Sequence, residues 1–318
     1  MRNVLISLII LAAVAYFGSK WHLHNKVSEG MDTAVTMMSP YAKVEYEGVA
    51  STLTGELTIE GVRIRLSDFN DDLYIDRLGI DTPSFLSLLE LGDVARMQSD
   101  GPPESIGFII EGLRMPAGAD YYRELYAFAL EARGITDADD VAAECTGKYG
   151  LSPSALDALG YDEQVISMSI TVNNQRGNYS LDMTMSIEDM WDMDASVKLA
   201  GDMQSEMMKG LAYRPRLSSM QVELTDRSLN KRVFEYCSQR GLSENEIMQA
   251  QLDSFMFIGQ ENGIEFDEYL IDPYMEFIGG KSVLIVTAKP NEPIAMSQID
   301  LYKPSDVPAL LNLEATAL

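Results

Sequence analysis

An apolar run, Val4 to Phe17, follows Met1, Arg2 and Asn3 and gives way to Gly18, Ser19, Lys20 and Trp21. As a helix it rises about 21 Å, short of a hydrocarbon core of roughly 30 Å, and extension to Leu23 closes the gap, with Trp21 at the interface and Lys20 reaching outward. The run leads straight into a helical pattern, Val27, Met31, Ala34 and Met38, which favours an uncleaved anchor over residues 1–40. Ala13, Val14 and Ala15 also fit a small-x-small cleavage pattern, so the rival is a cleaved signal leaving Tyr16 first and a soluble periplasmic body. Arg2 against Lys20 and Lys26 does not decide orientation. The short charged leader and the cysteine pair favour a cytoplasmic N-terminus, a single pass through a bacterial inner membrane and a periplasmic body.

Beyond Ser39 and Pro40 the pattern turns to strands, AKVEYEGV, LTGELTIEGVRIRL and LYIDRLGIDT. Leu57 and Ile59 lie on one parity and Val62, Ile64 and Leu66 on the other, so an extra residue at Glu60 and Gly61, a bulge, is expected to restore the face. A helix from Pro83, a strand through ESIGFIIEGLRM and a helix with Tyr121, Leu125, Phe128 and Ala132 on one stripe follow. The acidic, broken stretch Ile135 to Gly150 separates this region, 41–150, from a second, 151–318.

The second region has the cleanest alternation. Ile166, Met168, Ile170 and Val172 form one face, then Leu181, Met183, Met185 and Ile187, then Trp191, Met193, Ala195, Val197 and Leu199, then Met220, Val222 and Leu224. Polar residues stand between them and NNQRGN joins the first two strands, so the pattern is an antiparallel meander with one apolar face. Helical spacing in Leu229, Val233 and Cys237, and a Ser243/Glu246 capping box before Met248, Leu252, Phe255 and Met256, predict helices to cover it. A helix through Phe266 and Leu270 is expected to break at Asp272 and Pro273, SVLIVTA reads as a fully buried strand, and the tail closes with a helix from Ser305 through Leu311. The class is α+β, with an N-terminal membrane helix and antiparallel meander sheets packed against helices.

Composition narrows the function. A net charge of −25 opposes any surface that must neutralise phosphates, which sets nucleic acid aside as a partner. Cys145 and Cys237, the only two cysteines, lack zinc-like spacing and in an exported body form a disulfide. The only histidines, His22 and His24, sit beside the membrane segment and, two residues apart on a helix, point their rings apart. Asp68, Asn70 and Asp72 open like a calcium loop, but Leu73 stands where the turn wants glycine and Gly79 where a bidentate carboxylate is needed. Asp137, Asp139 and Asp140, and Glu188, Asp189, Asp192 and Asp194, read as solvated loops and turns. No phosphate-cradling glycine loop or GxSxG elbow occurs, so no catalytic, cofactor or metal site is assigned and the protein reads as non-enzymatic.

The segment VASTLTGELTIEGVRIRL followed by LYIDRLGIDTPSFLSLLEL resembles the opening of inner-membrane proteins of the AsmA-like group, through Thr54, Gly55, Leu57, Ile59, Gly61, Val62, Ile64, Leu88 and Leu89. The resemblance covers roughly residues 39 to 91 and implies a β-rich envelope protein facing the periplasm and connected with lipid transport or outer-membrane assembly. The remainder departs from the long repeated strands of the larger members. Met168, Met183, Met185, Met193 and Met220 share one sheet face, and flexible thioethers suit either an irregular apolar ligand or a packed core. Two functions follow, a membrane-anchored accessory of envelope lipid handling or assembly with a lipid or envelope protein as partner, and a scaffold docking on an envelope complex. A carboxylate hydrolase is third.

Overall fold

The computed structural model describes the backbone of residues 2–67, 69, 71–94, 104–132, 145, 151–175, 178–201, 215–261, 263–299 and 301–318, and their side chains apart from 2–17, 34, 90–94, 129, 132, 175 and 296. Helices and antiparallel strands are mixed, an α+β fold, in two compact units, Met1–Gly112 and Leu113–Leu318. The division falls inside one strand rather than in the acidic stretch, most of which lies outside the described residues.

The first unit holds α1 (Arg2–Met38), β1 (Ala42–Glu45), β2 (Gly48–Ser51), β3 (Glu56–Leu66), β4 (Asp72–Asp81), α2 (Phe85–Val94) and the start of β5 (Ser105–Pro116). β3 lies between β4 on one side and β1 and β2 on the other. Ala42, Leu57, Val62, Ile75, Phe85 and Leu88 are its buried apolar residues. The expected bulge is a different device. Glu60 faces Arg77 and Val62 faces Ile75, so no residue is inserted. Instead Gly61 takes a left-handed φ of 59°, and its missing side chain leaves room for that of Glu47. Glycine adopts this conformation without steric cost, and the pleat changes phase there, so Leu57 and Val62 are both buried from opposite parities.

The visible half of α1 runs beside β1 and β2. Lys20 Nζ donates to Ser51 O at 2.9 Å, His24 Nε2 and Ser51 Oγ lie 2.9 Å apart, and Tyr46 OH donates to Asp32 Oδ1 at 3.1 Å. Among the described residues no helix is long and apolar enough to cross a membrane. The anchor expected at Val4 to Phe17 rests on side chains outside that description.

The second unit orders β6 (Glu163–Gln175), β7 (Asn178–Ile187), β8 (Trp191–Ala200), β9 (Arg216–Asp226), β10 (Val283–Ala288) and β12 (Leu313–Ala317) side by side, all antiparallel, with β11 (Ile294–Ala295) on the end of β9. Its helices are α3 (Asp120–Ala132), α4 (Pro153–Ala158), α5 (Leu229–Gln239), α6 (Glu244–Glu261), α7 (Glu268–Ile278), α8 (Met296–Ile299) and, after a 3₁₀ turn at Pro304–Asp306, α9 (Val307–Leu311). The capping box starts α6 as expected, Ser243 N donating to Glu246 Oε2 at 2.8 Å and Glu246 N to Ser243 Oγ at 3.4 Å.

Two apolar cores hold this unit. One gathers Cys145, Leu156, Tyr161, Ile187, Met190, Val233, Cys237 and Ile247 around α4, α5 and the β7–β8 turn. Cys145 and Cys237 are joined in a disulfide there, with Cα atoms 5.8 Å apart and no exposed surface. The other gathers Leu217, Leu270, Ala288, Val307, Leu311 and Leu313 under α7 and α9. A third contact stacks Phe255 between Phe266 and Tyr274, with centroids at 4.4 and 4.2 Å, tying α6 to α7.

Three expectations fail here for identifiable reasons. α7 runs through Pro273 without interruption, since the carbonyl that loses its donor lies in the first turn. β10 is half-buried rather than fully buried, with only Leu284 and Ala288 covered, because helices pack on one face of the sheet. The α3 stripe is rotated, with Tyr121 and Leu130 buried while Leu125 and Phe128 are 59% and 70% exposed.

Candidate apolar binding face

Cross-strand register assembles the predicted face row by row. Met168 faces Met185, which faces Met193, which faces Leu224, which faces Leu284. The next row runs Ile170, Met183, Ala195, Val222 and Val286, and the third Val172, Leu181, Val197, Met220 and Ala288. Directly opposed residues have Cβ atoms about 4.5–5.5 Å apart, so each row is a continuous apolar strip.

Burial divides the strips. At the β10 end Leu284 and Ala288 are 5% and 1% exposed, while on β6, β7 and β8 every residue of the three rows stays half-buried or, for Leu181, exposed at 36%. Met185 borders the disulfide core, and Met220 and Val197 border the second core. Met168, Met183 and Met193 belong to neither. Among the described residues the face is therefore bordered by a core at each end and partly exposed between them.

The opposite face is polar and binds itself. Ser169 and Thr184 hydroxyls lie 2.8 Å apart, Asn173 Nδ2 donates to Ser180 Oγ and to Asp182 Oδ2 at 3.1 Å each, and Ser196 Oγ donates to Asp182 Oδ1 at 2.7 Å. These bonds span β6, β7 and β8 and tie the strands together without help from the apolar side. This network was missed in the sequence; its signal was the run of Ser, Thr, Asn and Asp at alternate positions. A cleft of about 490 Å³ opens beside it at the far end of the strands, lined by Asn173, Asn178, Tyr179, Lys198 and Ser218.

The other candidate groups are engaged elsewhere. Asp72, the third residue of the failed calcium pattern, is clamped by Arg63 and Arg65, whose hydrogen bonds hold its carboxyl far below the usual carboxylate range. Asp68 and Asn70 lie outside the described residues, as do Asp137, Asp139 and Asp140. Asp192 accepts from Arg227 Nε at 2.6 Å, and the Asp189 carbonyl accepts from Ser228. Among the described residues no cluster of three metal-ligating side chains occurs. Burial raises the Asp226 carboxyl and pushes the Tyr274 phenol up to about 12. Asp226 caps α5 through Asn230 N at 3.0 Å, and Tyr274 closes the aromatic stack. A second cleft, of about 440 Å³, lies in the first unit between Glu45, Glu47, Arg63, Tyr74 and Asp76. Of its carboxylates, Glu45 pairs with Lys43 at 2.6 Å and Glu47 folds over Gly61.

Residues 168–318, a little under half of the chain, match the model of a family described as an uncharacterized protein. That span opens at Met168 and contains the strands of the apolar face apart from the first five residues of β6. No curated protein matches the chain.

Proposed function

We propose that the protein is a non-enzymatic accessory of the bacterial envelope, tethered to the inner membrane by its N-terminal helix with the body in the periplasm, and that the open face of β6–β9 receives an acyl chain during lipid handling or outer-membrane assembly. The observation that carries the reading is a continuous apolar face that, among the described residues, stays only half-buried over three strands. The disulfide supports an oxidising compartment, since such bonds persist outside the reducing cytosol. The resemblance to the AsmA-like group supports the lipid connection.

Size favours a lipid over a protein on this face. Four strands at about 4.8 Å spacing and three rows two residues apart cover on the order of 300 Å², against about 800 Å² per partner in a standard protein interface. An acyl chain gains about 0.8 kcal/mol per buried methylene, so ten methylenes give roughly 8 kcal/mol before binding costs. Methionines, soft and unbranched, suit such a chain because they re-pack around ligands of variable length.

Native mass spectrometry of detergent-extracted protein tests this. Bound lipid, lost when Met183→Glu and Met193→Glu are combined, supports the reading; a bare mass for the folded wild-type protein counts against it. A second reading, a scaffold docking on an envelope complex, is favoured by Leu125 and Phe128, which stand 59% and 70% exposed on adjacent turns of α3. Loss of a co-purifying envelope protein on Leu125→Ser with Phe128→Ser, with bound lipid unchanged, would select it.

A further inference from the structure

Among the exposed apolar residues of the first unit, Trp21, Leu53 and Leu86 are linked through one set of contacts, apart from Met37, Met38 and Tyr41 at the other end of α1. Trp21 follows the lysine that holds Ser51, and it is 67% exposed. Ser51 ends β2 and leads into the turn Thr52–Gly55, whose tip is Leu53, also 67% exposed. Thr82 Oγ1 and Thr82 N both donate to Gly55 O, at 2.8 and 3.1 Å, so this turn abuts the one that starts α2. Gly55, with φ 103°, makes that approach possible: a side chain there would strike Thr82 O and the Ser84 backbone. Leu86, in the first turn of α2, is 69% exposed while its neighbours Phe85 and Leu88 are buried. Three large apolar side chains from three separate elements thus point to solvent at one pole.

That pole is where α1 leaves the unit. From Lys20 toward Met38 the helix runs beside β2 and then β1, as the Ser51 and Tyr46 contacts fix. From Lys20 toward the N-terminus it continues into the apolar run Val4 to Phe17, whose last residue is about one turn, or ~5 Å, from Lys20. We infer that the pole carrying Trp21, Leu53 and Leu86 is a membrane-docking surface, on which the first unit sits against the bilayer with the two leucines in the headgroup region. The inference rests on the anchored reading above and adds that the anchor is no free tether. A tryptophan at the head of the span and leucines on tight turns beside it are the residue types and the placement that an interfacial contact uses. In a chain of net charge −25 the contact is expected to rest on these apolar residues rather than on attraction to anionic lipid.

The full chain suits a labelling test, because its only cysteines are joined in the disulfide. Leu53→Cys, Leu86→Cys and Tyr41→Cys are each labelled with a nitrobenzoxadiazole fluorophore and reconstituted in phosphatidylcholine vesicles, with and without nitroxide-bearing lipid. Tyr41 is 75% exposed in the same unit but follows the far end of α1, where Met38 is about 27 Å along the helix from Lys20. Vesicle flotation scores the anchor separately. The expected result is co-flotation of all three proteins, emission quenched about two-fold at positions 53 and 86, and little change at 41, as for groups buried ~5–10 Å into the interface. Co-flotation without quenching at 53 and 86 overturns the docking surface and leaves the anchor standing. Failure to float overturns both.

Discussion

The two halves of the second unit's sheet have the same alternating sequence and opposite fates. On β10 and β12 the inward residues Leu284, Ala288 and Leu313 are buried, the last two in the core under α7 and α9, whereas on β6, β7 and β8 the equivalent Met168, Met183 and Met193 are half-buried. Alternation makes a face apolar; it does not say what covers it. The open half persists as a sheet because its polar side is cross-linked by the Asn173, Ser180, Asp182 and Ser196 bonds and because cores close it at both ends.

If the covered parts carry the stability, losing their fastening has the largest effect. Cys145 and Cys237 close a loop across a sequence separation of 92, and Cys237→Ala with Cys145→Ala is expected to cost about 4 to 5 kcal/mol, seen as a lower denaturant midpoint. Next is the direct contrast. Leu284→Ala is expected to cost about 2–5 kcal/mol and Met183→Ala under about 1 kcal/mol, measured by urea unfolding. Equal costs would mean that the open half is packed after all. A charge sharpens the same comparison: Met193→Glu leaves the fold within about 1 kcal/mol of wild type while abolishing acyl binding, because at the half-open site the carboxylate stays hydrated.

Much of this was legible and some was not, for physical reasons. The meander, the capping box and the cysteine pair follow from local rules, a period of two, a four-residue motif and an even count of cysteines. β12 was missed, although Leu313, Ala315 and Ala317 alternate, because a five-residue strand of small residues carries little signal until β10 offers it an edge. The rotation of α3 and the half-buried state of β10 depend on what packs where, which periodicity does not encode. For the apolar face the sequence supplied the residues, and only the register and the burial along the strands showed that one end is covered and the other half-buried.

The smallest expected effect belongs to α1. Burial, followed by the Lys20 charge, lowers His24 below its ordinary value of 6.5. A lowered value means that the docked helix prefers the neutral ring. The contribution of the contact with Ser51 is therefore complete above about 6.5 and is lost as the pH falls through the docked-state value. The protection factor of amides near Ser51, taken relative to intrinsic exchange at each pH, should fall slightly from pH 7 to 5, and His24→Gln should flatten that dependence.

The acyl-chain claim is tested most directly by fluorescence, because the chain has two tryptophans and one of them, Trp191, begins β8 on the same parity as Met193 and borders the disulfide core. With Trp21→Phe the remaining signal reports on that end of the face alone. Titrating this variant with a doxyl-labelled fatty acid should quench Trp191 saturably, and adding Met183→Glu and Met193→Glu should remove the saturable component. Quenching that never saturates, or that survives both glutamates, contradicts an apolar binding site on β6–β9.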